Sequence, residues 1–284
     1  MEGGVLRGLD RPIAIPKDWS VLAVYLARDD VVLDVSSFDE RFAVLATGTT
    51  LERLTAVAPP LAIDRFGQVL LGRSVPATVP PVDSATPSVA ALFSLADRKV
   101  LDIVQLPDDT SVVDVCRDAG LALVETATGT AYLSDISSGR ARELPVPGEV
   151  RARLSATGDA VFVTTDQGRL LRLEPADLST AWEGPVLGTA PVLSPDGRYV
   201  AGVSDRKVVV VEAASGRQAK PATLLRSPTP EPMAALVWES DKAILVTDHD
   251  AVEQHWQRCT LSTGTCASVP TTSSGTVVAS PRPD

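Results

Sequence analysis

Over residues 110–217 a turn-strand-turn-strand unit recurs at nearly constant spacing, and that recurrence restricts the fold more than any other property of the chain. From Leu193, LSPDGRYVAGVSDRKVVVVEAASGR reads as a turn at Ser194-Pro195-Asp196-Gly197, a strand over 199–203, a tight turn at Asp205-Arg206, a strand over 208–212 and a turn at Ser215-Gly216. From Leu154, LSATGDAVFVTTDQGRLLRLEPADLS repeats the plan, with turns at Thr157-Gly158 and Gln167-Gly168. Before it, CRDAGLALVETATGTAYLSDISSGR places Gly120, Gly129 and Gly139 in the matching positions. Gly120 to Gly158 is 38 residues and Gly158 to Gly197 is 39.

The unit extends outward with insertions. VWESDKAILVTDHDAVEQHWQRCTLSTGTC sets Lys242 where the glycine stood, 45 residues on, the surplus falling in the Pro-rich 227–232. Upstream, Gly67 lies 53 residues before Gly120, the surplus falling in 74–87 with Pro76, Pro80, Pro81 and Pro87. The outermost copy, over 19–54, is the least regular, with short strands at 21–26, 31–35 and 42–46. Segments this short, punctuated by Gly, Asp and Pro, are strands and not helices. Four such strands per repeat of about 40 residues predict an all-β chain: a β-propeller of four-stranded antiparallel blades, each too thin to bury its own faces. The expected blades are 18–58, 59–109, 110–148, 149–188, 189–232 and 233–275 of a single domain spanning 1–284, six in all with seven as the alternative. Residues 277–279 or 13–15 are candidates for a closing strand shared between the two ends. A β-sandwich is the rival fold, which would not require the repetition.

SPDGRYVAGVSDRKVVVVEAASGR resembles the repeat of TolB and WD40-like propellers, in which a Ser-Pro-Asp-Gly turn precedes one strand and a Ser-Gly turn ends a second. The other copies carry degenerate forms, Ser155-Ala156-Thr157-Gly158, Arg117-Asp118-Ala119-Gly120 and Ser240-Asp241-Lys242, and the Trp-Asp and Gly-His signatures of eukaryotic WD40 repeats are missing. The resemblance implies a bacterial-type propeller used as a scaffold or interaction module, or as a domain appended to an enzyme.

Charge and composition narrow the partners. The net charge is −10, and no basic stripe interrupts it, so neither nucleic acid nor an anionic membrane is the expected ligand. Only five cationic residues are Lys among 26, a bias that with abundant Ala, Val and Pro points to a high-GC bacterial genome. No run of 18 apolar residues is present and 1–10 lacks a signal-like pattern, so the expectation is no membrane insertion by this chain.

Chemistry-bearing residues are few. Cys259 and Cys266 enclose Thr260 to Thr265, symmetric about a hairpin turn at Ser262-Thr263, and opposed strand cysteines are near enough for a disulfide where they form a non-hydrogen-bonded pair. Free thiols or a metal pair are the alternatives, though metal sites need more ligands than two. A disulfide implies an oxidising compartment, so the expected location is extracytoplasmic, periplasmic or cell-surface, with the cytoplasm as alternative. Cys116 reads as a small buried residue. The two histidines, His249 and His255, flank Asp250 and Glu253; Asp248-His249-Asp250 reads as a solvated strand-to-strand turn and not as a metal site. Two histidines so close together leave little for a Ser-His-Asp arrangement, and no Gly-x-Ser-x-Gly elbow or phosphate-cradling Gly-rich loop occurs. Trp182 and Trp238 sit in apolar strand contexts and read as packing, and Asp118, Asp196 and Asp241 as turn residues. No catalytic residue, cofactor or metal is therefore assigned.

The function expected is that of a non-enzymatic, monomeric propeller holding a protein, peptide or envelope component. Its binding loops are expected at the insertions, with Ser74, Pro76, Pro80, Pro81 and Asp83 in one and Arg226, Pro228 and Pro230 in the other. The alternative is a lactonase-like or glycan-acting propeller enzyme with a metal or carboxylates in its channel.

Overall fold

The computed structural model describes residues 5–6, 13–26, 30–38, 40–63, 68–74, 89–106, 110–146, 151–204, 207–219, 223–224, 236–249 and 254–269. All regular structure among them is β. A ribbon of β1 (Val5–Leu6) and β2 (Ile13–Ala14) precedes six four-stranded sheets, each formed from strands consecutive in sequence and paired antiparallel. The first sheet holds β3 (Ser20–Leu26), β4 (Val31–Ser37), β5 (Glu40–Thr47) and β6 (Thr50–Leu54). The second holds β7 (Val57–Ile63), β8 (Val69–Ser74), β9 (Val89–Ser94) and β10 (Lys99–Gln105), and the third β11 (Thr110–Cys116), β12 (Leu121–Thr126), β13 (Ala131–Asp135) and β14 (Ala141–Glu143). The fourth is β15 (Arg151–Leu154), β16 (Val161–Thr164), β17 (Arg169–Leu173) and β18 (Thr180–Val186). The fifth is β19 (Val192–Leu193), β20 (Tyr199–Ser204), β21 (Lys207–Glu212) and β22 (Thr223–Leu224), and the sixth β23 (Leu236–Ser240), β24 (Ala243–His249), β25 (Gln254–Thr260) and β26 (Thr265–Val269). The chain forms two compact units, one built on the first three of these sheets and the other on the last three.

The middle strands are almost continuously apolar because both of their faces are buried. On β21, Val208 and Val210 pack with Leu236, Trp238 and Ile244 of the sixth sheet, while Val209 and Val211 pack with Phe162 and Leu170 of the fourth. On β8, Leu70 faces Val32 and Leu45 of the first sheet, and Leu71 faces Val112 and Val124 of the third. The two-residue period of a strand thus divides one sequence between two cores. Val, Leu and Ala fill these narrow layers, which accounts for the low aromatic content.

Ile13–Ala14 does not extend any four-stranded sheet. It pairs with β1, and Ile13 and Ile15 pack on Val24, Leu33 and Val44 of the first sheet. The apolar side chain of Ile13, only 2% exposed, is better covered lying across a face than it would be at an edge. The other candidate for a closing strand, 277–279, lies outside the described residues.

The recurring turns have a common construction. Gly120, Gly158 and Gly197 adopt φ of +64°, +72° and +71°, where a side chain would be strained. In the fifth sheet, Ser194 Oγ donates to Asp196 Oδ1 at 2.7 Å, and the same oxygen accepts from the Arg198 amide at 3.0 Å. In the fourth, Ser155 and Thr157 hydroxyls both donate to Asp159 at 2.6 Å and hold its carboxyl below the usual carboxylate range. Asp241 departs from the pattern: its carboxylate accepts from the Asp196 amide at 3.0 Å and so joins the sixth sheet to the fifth, its own short turn being served by Ser240 Oγ.

A second recurrent device joins the third strand to the fourth. The amides of Gly139, Leu178, Gly216 and Gly264 donate back to the carbonyls of Asp135, Glu174, Glu212 and Thr260. All four donors have positive φ, Leu178 included at +61°. At Gly216 an added Cβ would also lie 2.6 Å from the Trp182 ring. Asp135 braces its turn through Ser137 Oγ at 2.6 Å and the Ser138 amide at 2.8 Å, which lower its carboxyl to about 2. A depressed folded-state value means the stabilisation is present above the unfolded value near 3.9 and lost as pH falls toward 2. The difference in thermal midpoint between the native chain and Asp135→Asn should accordingly shrink between pH 5 and pH 2; a constant difference would refute the bracing.

Cys259 and Cys266 stand opposite each other on β25 and β26 with Cα atoms 4.0 Å apart, and their sulfurs are bonded. Because the loop closed is short, the Cys259→Ser, Cys266→Ser double variant should lose only about 2–3 kcal/mol in urea unfolding. Cys116 forms no disulfide and is buried, and burial pushes its pKa up.

Candidate interaction surface

A cleft of about 450 Å³ opens on the first sheet, lined by Trp19, Ser37, Phe38, Glu40, Phe42 and Arg53. Strand register brings these residues together. Glu40 and Phe42 alternate onto one face of β5, and Arg53 joins them because β6 pairs it with Val44 of that same face. Trp19, just before β3, meets the Phe42 ring edge-on, with centroids 5.1 Å apart and planes at 79°.

The Arg53 guanidinium carbon lies 4.5 Å from the Phe42 centroid. Both of its terminal nitrogens donate to the Glu40 carboxylate, Nη1 to Oε2 at 3.1 Å and Nη2 to Oε1. These hydrogen bonds hold the Glu40 carboxyl below the ordinary carboxylate range. A second carboxylate stands beside the cleft, Asp18 Oδ2 accepting from Ser37 Oγ at 3.3 Å. Phe38 occupies the turn between β4 and β5, 90% exposed and at φ +51°. A left-handed conformation costs a bulky residue about 1–2 kcal/mol, and here no burial offsets that cost. The other face of the same sheet carries an ion pair, Arg41 donating to the buried Asp34 through Nε at 2.9 Å and Nη2 at 2.5 Å.

Among the described residues, none of the binding-loop candidates expected from sequence lines this cleft. Ser74 ends β8, whereas Pro76, Pro80, Pro81, Asp83, Arg226, Pro228 and Pro230 lie outside the described residues. Asp248 and His249 belong to β24 and not to the turn expected there, because pairing continues through Asp248 with His255 and His249 with Gln254. Asp250 and Glu253 lie outside the described residues. Among the described residues no three His, Cys, Asp or Glu side chains are grouped as metal ligands would be, and no helix is long and apolar enough to cross a membrane. Phe38, Glu40 and Arg53 carried no functional assignment in the sequence reading. The one signal available was a bulky aromatic at a turn position where Gly, Asn or Asp is usual.

No protein-family model matches the sequence, and neither does any curated protein. Solved structures do match by shape. A chain of the mitotic checkpoint complex superposes with a TM-score of 0.63 at 11% identity, covering 88% of this chain and 76% of that one. The C-terminal WD40 domain of Sif2 superposes with a TM-score of 0.61 at 11% identity, covering 87% and 71%. At such identity the likeness speaks to architecture alone. With its sheets of four consecutive antiparallel strands, this chain has the fold of a WD40-like β-propeller.

Proposed function

We propose that the chain is a non-enzymatic interaction module that holds a protein or peptide partner. The observation that carries this reading is the division of labour among its side chains. The hydroxyls and carboxylates of Ser155, Asp159, Ser194, Asp196 and Asp135 are engaged in closing turns, while the most exposed large hydrophobic side chain among the described residues is that of Phe38, on a strained turn. Exposed aromatics at rigid positions are characteristic of protein contact surfaces.

In this proposal residues 1–284 form one monomeric propeller domain of the TolB type, six-bladed with seven as the alternative, from a bacterium. The Cys259–Cys266 bond supports an extracytoplasmic location, since such bonds persist in oxidising compartments. The insertions at 74–87 and 226–232 contribute loops to the binding face. Cross-linking in the source organism, followed by mass spectrometry, tests the reading. The native chain is expected to trap a defined protein, and a variant lacking 75–87 to keep its circular dichroism melt while trapping less. Undiminished trapping by that variant would remove the loop assignment. Absence of any trapped protein would remove the interaction reading itself.

A further inference from the structure

We infer that the cation site formed by Phe42 and Glu40 in the wall of this cleft receives a guanidinium or ammonium side chain from the partner, and that Arg53 covers that site in the free protein. The inference rests on the interaction reading above and specifies its chemistry. The cleft already shows what it accepts: a guanidinium lies over the Phe42 ring while its two terminal nitrogens reach the Glu40 carboxylate. Aromatic faces with an adjacent carboxylate form a cation-binding arrangement, because ring quadrupole and carboxylate charge attract the same group.

Three features make the resident cation exchangeable. Arg53 is about half exposed and Glu40 more than half, so their pairing is weakly held. A second carboxylate, Asp18, borders the cleft, so an arriving cation meets negative charge in addition to Glu40. The net charge of −10 attracts cationic segments and opposes anionic ones at long range. Phe38, standing in solvent at the rim, supplies a further ring to cover the incoming side chain. The committed occupant is thus an arginine or lysine of a basic protein segment, arginine first because the resident group is a guanidinium.

Competition with Arg53 gives the inference a sign that an anionic ligand would reverse. The test is an NMR titration of the full chain with acetyl-Gly-Arg-Gly-amide, its citrulline counterpart and acetyl-Gly-Glu-Gly-amide, followed at the Trp19 indole N–H, assigned with Trp19→Phe. The arginine peptide is expected to shift that resonance and the citrulline peptide to leave it in place. Arg53→Ala should tighten arginine-peptide binding about fivefold by vacating the site, while Phe38→Ala and Glu40→Gln weaken it severalfold. No shift with the arginine peptide in either the native chain or Arg53→Ala would overturn the inference. So would weaker binding in Arg53→Ala, or glutamate-peptide binding that Arg53→Ala abolishes. A trapped partner retained in full by Phe38→Ala and Glu40→Gln would overturn the cleft while leaving the interaction reading intact. A cleft that takes the arginine peptide in a chain that traps no protein would support the cleft and overturn that reading.

Discussion

Replacing Trp238 with alanine is expected to destabilise the unit containing the last three sheets by about 3–5 kcal/mol, the range for truncating a fully buried large aromatic. Trp238 on β23 is completely buried and stacks on Tyr199 of the fifth sheet, with ring centroids 6.3 Å apart and planes at 20°. Its indole Nε1 donates to the Val192 carbonyl at 3.0 Å. Alanine would therefore open a void and leave that carbonyl without its donor, two costs that add. Trp238→Phe separates them, keeping most of the apolar contact while losing the hydrogen bond, and should cost about 1–2 kcal/mol. Urea unfolding followed by far-ultraviolet circular dichroism reads both. A loss below about 1 kcal/mol in Trp238→Ala would show that the seam between the fifth and sixth sheets is not held as described.

Arg41→Ala should cost about 3 kcal/mol, although Arg41 itself is half exposed. The cost arises from what it leaves behind. Asp34 lies in the middle of β4 with its side chain 1% exposed, and Arg41 supplies two charge-assisted hydrogen bonds to it. Without them a carboxylate is buried beside apolar neighbours with its charge uncompensated. The same bonds raise the Arg41 pKa. Adding Asp34→Asn to Arg41→Ala removes the charge and should recover part of the loss, a non-additivity that distinguishes an uncompensated charge from lost packing. If the double variant is less stable than Arg41→Ala alone, the charge is not the origin of the effect.

The repeat was legible because turn chemistry is local. A glycine at positive φ followed by a short apolar strand leaves its mark within a dozen residues, and Gly120, Gly158 and Gly197 all take that conformation. Opposed positions on a hairpin are similarly local, so Cys259 and Cys266 could be placed face to face by counting. The cleft was not legible for the opposite reason. Trp19, Phe42 and Arg53 meet only because β3 to β6 adopt one particular register, and they belong to the copy whose spacing is least regular. The linkage through Asp241 was hidden in the same way, since a carboxylate that serves its own turn and one that serves the next sheet look alike in sequence. Leu178 shows the limit of counting glycines: the backbone geometry of Gly216 recurs there, carried by a residue that gives no sign of it.

Pairing is irregular in the leading strand of four of the six four-stranded sheets among the described residues: at Leu22 in β3, Pro59-Pro60 in β7, Val113 in β11 and Glu239 in β23. Each of these strands is the outermost member of its own sheet. An extra residue there breaks the even row of amide donors and carbonyl acceptors that a foreign strand would need as a template, and the two prolines of β7 offer no amide donor at all. While the chain is being synthesised, a sheet that has formed ahead of its neighbours is thus poorly suited to recruit a strand from another molecule. These register irregularities also guard a chain assembled from similarly built four-stranded sheets against mistaken exchange between copies.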